Sequence, residues 1–173
     1  MARRGRTRGF QRQVRRKFVW DRTSAAPTIG QGGPFAVDLL SAFRSQPGAT
    51  HLGATVMRVR GYIRPVLFDT GPNVGGVVGM RIDSWNEAVT DDALAPTAQP
   101  NEDWMAWLPW SGDQIAANDS VASWNSQASV WAVDVKASRK LEELNQTLWL
   151  CTTAPTQGTM VLIYDLSVGL KLP

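Results

Sequence analysis

The stretch GTMVLIYDLSVGLKLP, residues 158 to 173, alternates apolar side chains with others for almost its whole length. Successive side chains of a β-strand point to opposite faces, so Met160, Leu162, Tyr164, Leu166, Val168, Leu170 and Leu172 all fall on one side. A strand this long has to satisfy its backbone groups within a sheet.

The same period recurs upstream. In SVWAVDVKA, residues 129 to 137, Trp131, Val133 and Val135 stand opposite Asp134 and Lys136. From Thr55 to Arg64 the odd positions (Thr55, Met57, Val59, Gly61, Ile63) form a mostly apolar face, and the even ones (Val56, Arg58, Arg60, Tyr62, Arg64) a mostly basic one. Shorter strand candidates are PFAVDLL, GVVGMRIDSW, DWMAWLPW and NQTLWLCTT, separated by Gly, Pro, Asn and Asp clusters such as QPGAT, DTGPNVGG and ALAPTAQPNED. Only ASRKLEELNQ, residues 137 to 146, has helical spacing, and it is short enough to be a turn between two strands instead. About eight strands in a body spanning residues 23 to 173 predict an all-β antiparallel sandwich, built as one domain. A jelly roll and an immunoglobulin-like sandwich both satisfy this period.

The N-terminus is different. RRGRTRGFQRQVRRKFVWDR, residues 3 to 22, holds nine basic side chains and one acid, Asp21, for a charge of +8. The rest of the chain holds nine basic and fourteen acidic side chains, or −5, and the two parts sum to +3. The excess of positive charge therefore belongs to an arm, residues 1 to 22, and marks a polyanion-binding segment on a folded body. Arg3, Arg4, Arg6, Arg8, Arg12, Arg15, Arg16, Lys17 and Arg22 are its candidate phosphate contacts. Eight of these nine are arginine, the residue whose planar fork binds phosphate bidentately and stacks on bases. Arg58, Arg60 and Arg64 would extend the basic surface onto a sheet face. Phe10, Phe18 and Trp20 are interleaved with the arginines, either as stacking partners for unpaired bases or, for Phe18 to Trp20, as the place where the arm tucks into the body.

Other classes find little support. No apolar run approaches the roughly 18 to 20 residues of a membrane span, and the N-terminus lacks the apolar core of a signal peptide, so the expectation is assembly inside a cell without a membrane partner. Cys151 is the sole cysteine and sits in the apolar run TLWLC, which predicts a buried, inert thiol. With His51 as the sole histidine, neither a histidine metal cluster nor a catalytic triad is predicted, and the chain reads as a non-enzyme without a cofactor. GPNVGGVVG, residues 71 to 79, lacks the Lys-Ser/Thr of a phosphate-binding loop and reads as a turn entering a strand. The acid pairs Asp91 with Asp92 and Glu102 with Asp103 read as solvated charge, with a divalent cation between subunits as the functional alternative.

Eight tryptophans are a heavy load for 173 residues, and WMAWLPW brings Trp104, Trp107 and Trp110 within seven positions. Core packing and a carbohydrate-binding groove are two uses for them. A third is a subunit interface, where tryptophan supplies large desolvated area, and that use is expected of at least one of the three.

Taken as a plan, the chain resembles the single jelly-roll capsid proteins of small icosahedral viruses, especially those packaging circular single-stranded DNA. The residues that carry the resemblance are RRGRTRGFQRQVRRKFVW, VMRVRGYIR, WAVDVKASRKLEELNQTLWL and MVLIYDLSVGL; it spans the whole chain and rests on no single motif. It implies a subunit that assembles with copies of itself into a shell in the virion, with the arm neutralising the viral genome, and a body too short for protruding domains. Two other classes share part of the pattern: a monomeric DNA- or RNA-binding β-domain would share the arm, and a carbohydrate-binding sandwich the tryptophans.

Overall fold

The computed structural model describes residues 17–32, 35–48, 51–68, 75–84, 104–111, 130–143 and 145–173. Among them the order of elements is β1 (Phe18–Ala25), β2 (Thr28–Ile29), β3 (Phe35–Asp38), α1 (Ser41–Arg44), β4 (Thr55–Phe68), β5 (Gly75–Ser84), β6 (Trp104–Ser111), β7 (Trp131–Lys140), β8 (Gln146–Thr152) and β9 (Thr159–Lys171). One sheet runs β1-β9-β4-β7, with β2 also paired to β9, and the other runs β3-β8-β5-β6. All of these pairings are antiparallel.

Setting aside the two-residue β2, the pairs are nested. The first strand pairs with the last (β1 with β9), the second with the second-last (β3 with β8), the third with the third-last (β4 with β7), and the middle two with each other (β5 with β6). One long antiparallel hairpin rolled over two sheets produces this nesting, and the result is a jelly roll. An immunoglobulin-type sandwich would keep its first two strands side by side in one sheet, whereas β1 and β3 lie in different sheets here.

The inner faces of the two sheets make the core. From β9 it takes Met160, Leu162, Tyr164, Leu166, Val168 and Leu170, all buried, with Leu172 packed against them, as the period-two pattern predicts. Val133 enters from β7, Leu148 and Leu150 from β8, and Val78 and Met80 from β5.

The alternation fails in β4, where the sequence pattern places Val56 on the basic face. A β-bulge shifts the register between Val56 and Arg58, so Val56 and Val59 are both buried while Arg58 still points outward. An extra residue in one strand turns the following side chains over. Further along β4, Pro65 is buried in mid-strand, a position that lacks a backbone donor. Within the described pairing β7 reaches only to Ile63, so Pro65 lies where β4 has β9 on one side and no partner from β7 on the other.

Gly61 shows why β4 and β9 can come so close. Its φ is +144°, and a Cβ built there would lie 1.9 Å from the Asp165 carbonyl oxygen, so any side chain would push the two central strands apart.

Two expected boundaries move. ASRKLEELNQ is not helical: Ala137 to Lys140 complete β7, and Leu141 is buried, with its N–H donating to the Ala54 carbonyl and its own carbonyl accepting from Gly53, both at 2.8 Å. The Gln146 side-chain oxygen then accepts from the Glu142 N–H at 2.8 Å and closes the turn into β8. At the other end of the chain, residues 18 to 22, which charge alone groups with the arm, belong to β1. Their alternation is inverted for a core strand, with Phe18, Trp20 and Arg22 facing out and the carboxylate of Asp21 facing in, which hides the strand from a hydrophobic pattern.

Candidate nucleic-acid interface

The outward face of the β1-β9-β4-β7 sheet is built in rows by the strand register. Trp20, Gly169, Arg58 and Lys136 form one row across the four strands, and Arg22, Ser167, Arg60 and Asp134 the next. Ser24, Asp165, Tyr62 and Ala132 form a third. Neighbouring strands lie about 4.8 Å apart and same-face residues about 6.7 Å apart, so long side chains reach diagonally between rows.

They do so throughout this face. Arg22 donates to Asp165 bidentately, Nε to Oδ1 at 2.8 Å and Nη2 to Oδ2. Arg58 makes the same fork onto Asp134, and Arg60 Nε lies 4.0 Å from that carboxylate. The hydrogen bond from Arg22 holds the Asp165 carboxyl below its ordinary range, and that from Arg58 does so for Asp134, so both acids stay charged and keep the arginines extended over the sheet. The Arg60 guanidinium lies over the Trp20 ring, 5.3 Å from its centroid, in a cation–π contact. Phe18 meets Trp20 edge to face at 5.5 Å. Beneath these rings is Gly169, where a Cβ would lie 2.9 Å from Phe18 and 3.2 Å from Trp20, so the glycine lets both rings rest low on the sheet.

The face is positive on balance. Among its described outward positions Arg22, Arg58, Arg60, Arg64, Lys136 and Lys171 outnumber the carboxylates Asp134 and Asp165. Phe18, Trp20 and Tyr62 are its exposed aromatics. An open groove between β1 and β4 is lined by Trp20, Arg22, Arg60, Gly61, Tyr62, Asp165 and Ser167.

Of the candidates read from the sequence, Arg3, Arg4, Arg6, Arg8, Arg12, Arg15 and Arg16 lie outside the described residues. Lys17 is the first described residue, and its carbonyl accepts from the Leu172 N–H at 2.8 Å, so the arm joins the body at the edge of this sheet. Arg22, Arg58, Arg60 and Arg64 are brought onto one face, as the alternation in β4 predicts for the last three. Tyr62 lies in the same alternation of β4, which by itself marks no site; Lys136 and Lys171 join the face only through cross-strand register. The acid pairs at 91 and 92 and at 102 and 103 lie outside the described residues, as does the turn before Gly75.

The three tryptophans of β6 separate. Trp110 is 2% exposed and packs in the main core, its ring against Gly76, where a Cβ would lie 2.5 Å from the indole. Trp104 points to the other side of the second sheet and is 9% exposed, clustered with Ala36, Trp149 and Cys151 and with the Arg81 guanidinium 5.4 Å from its ring centroid. A bulge between Trp104 and Ala106 puts the two on opposite faces although they are six residues apart. Area spent inside the subunit is not on offer to a partner, so packing within the chain accounts for the burial of Trp110 in the main core and of Trp104 in the smaller cluster. Trp107 is partly buried.

His51 is buried in the loop before β4, its carbonyl accepting from the Ala54 N–H at 2.8 Å. Among the described residues no three His, Cys, Asp or Glu side chains gather as a metal site.

Burial pushes the Cys151 thiol from its ordinary 9.0 up to about 12. The unfolded chain releases this proton near 9.0 and the folded one only near 12, so the stabilisation is complete below pH 9.0 and fades as pH climbs toward 12. Iodoacetamide at mildly alkaline pH should leave Cys151 unmodified in the native protein and modify it fully in denaturant, read by mass spectrometry. Modification of the folded protein at the rate of a free thiol would show that Cys151 is accessible.

No family model and no curated protein sequence matches the chain. Among solved structures it is similar to the Tobacco streak virus coat protein dimer, with 13% identity and a TM-score of 0.44 over 90% of this chain and 86% of that one.

Proposed function

We propose that this chain is a viral coat protein that assembles with copies of itself into an icosahedral shell and packages a nucleic-acid genome, single-stranded DNA, through its arginine-rich arm. The observation that carries the reading is the charge split on a jelly roll: +8 in residues 3 to 22 against −5 in the remainder. The arm leads into β1, an edge strand of the β1-β9-β4-β7 sheet, and the outward face of that sheet is itself basic. Contacts of this kind are to phosphate and gain from counterion release without reading a sequence, which suits enclosing one genome by its charge. Assembly takes place inside the host cell, and the virion is where the protein resides.

Light scattering after size-exclusion chromatography tests this directly. The expected result is a particle of megadalton mass that protects nucleic acid from added nuclease, its content sensitive to DNase once the shell is opened. A 19.0 kDa monomer under all assembly conditions would reject the shell, and RNA in place of DNA would reject the genome type alone.

A further inference from the structure

We infer that the outward face of the β1-β9-β4-β7 sheet is a stacking platform for unpaired bases, with Trp20 as the stacking surface and Arg22 and Arg60 as its phosphate contacts. The inference rests on the nucleic-acid reading above and deepens it by assigning the recognition of unpaired bases to a surface of the folded body, apart from the phosphate contacts of the arm.

Four features lead to it. Trp20 is 46% exposed on an edge strand, where burial in the core does not explain a tryptophan. Gly169 beneath it has no side chain to lift the ring off the sheet, and Phe18 holds its edge. The cation lying on the ring, Arg60, is 51% exposed and its Nε comes no nearer than 4.0 Å to Asp134, a loose contact, so an incoming phosphate can draw it off while a base takes its place on the indole. Arg22, 71% exposed although paired with Asp165, lines the same groove as Tyr62, a second ring on β4 across the intervening β9.

A duplex can meet the arginines through its phosphates but not the indole, because its base faces are hidden in its own stack. An unpaired strand exposes them, and every base has a face to offer, so the platform is indifferent to sequence.

The test uses the full chain with three probes: oligo(dT), an abasic oligonucleotide of the same length and charge, and a duplex, at salt raised enough to weaken the arm's contribution. The parent should prefer oligo(dT) over the abasic strand by about tenfold, the size of one base–aromatic stack. Trp20→Ala should erase that preference while leaving affinity for the abasic strand and its salt slope unchanged, and Trp20→Phe should retain part of it. Trp20→Leu, which keeps apolar bulk on β1 but has no ring, guards against loss of fold and should behave as Trp20→Ala. Equal binding of oligo(dT) and the abasic strand by the parent overturns the platform while leaving the packaging reading standing, whereas no binding of any probe rejects both. If Trp20→Leu keeps the preference and instead prevents particle formation, the face joins copies of the chain and is no platform.

Discussion

Removing residues 1 to 16 will lower affinity for single-stranded nucleic acid by several orders of magnitude and flatten its salt dependence, while the body stays folded. The segment carries seven arginines and no acid, and each phosphate neutralised on a single strand adds about 0.7 to the slope of log K against log salt. Full engagement therefore predicts a slope smaller by about 5 in the truncated chain. Cutting after residue 16 keeps Lys17, whose carbonyl accepts from Leu172, and leaves β1 intact from Phe18. A titration over a range of salt concentrations reads both quantities, and thermal melting confirms the body. An unchanged slope would mean that the arm makes no phosphate contacts, and packaging by charge would have to be abandoned.

Trp110→Ala should be the most damaging substitution among the three tryptophans of β6. The indole is 2% exposed and fills space left by Gly76, so the truncation removes a large buried apolar surface and leaves a cavity. Losses of this kind cost about 3 to 5 kcal/mol, against a total stability of roughly 5 to 15 kcal/mol for a domain. The expected signature is a fall in melting temperature on the order of 10 °C for the unassembled subunit. A variant with the parent's melting temperature but no particles would return Trp110 to the subunit interface. Trp20→Ala makes the contrast, since a half-exposed ring on an edge strand should change stability by under about 1 kcal/mol.

These two variants mark where the sequence is informative. Charge needs no fold to be counted, so the arm, its arginine preference and the acidic body are properties of the chain itself. Sheet structure follows from period two where a strand has one buried face, which is why β9 and β7 read cleanly. β1 does not, because an edge strand that turns Phe18, Trp20 and Arg22 outward and Asp21 inward has no apolar period to detect. The helical spacing of ASRKLEELNQ misleads for a related reason: Leu141 is drawn into the core by backbone bonds to Gly53 and Ala54, residues far away in sequence.

The sequence by itself determined that the chain is an all-β body with a cationic arm, and that Arg58, Arg60 and Arg64 share a strand face. Only the tertiary structure decided that the strands nest as a jelly roll, because period two says which face is buried but not which strand lies alongside. It also decided the make-up of the basic face. Trp20, Arg60 and Asp134 come from β1, β4 and β7, and they meet because β9 lies between β1 and β4 in a fixed register. A bulge of one residue placed Arg58 outward with Val56 inward, and another sent Trp104 and Trp110 to opposite faces. Side-chain direction in a sheet reverses with every residue, so a shift too small to alter composition or charge is enough to decide which side chains share a surface.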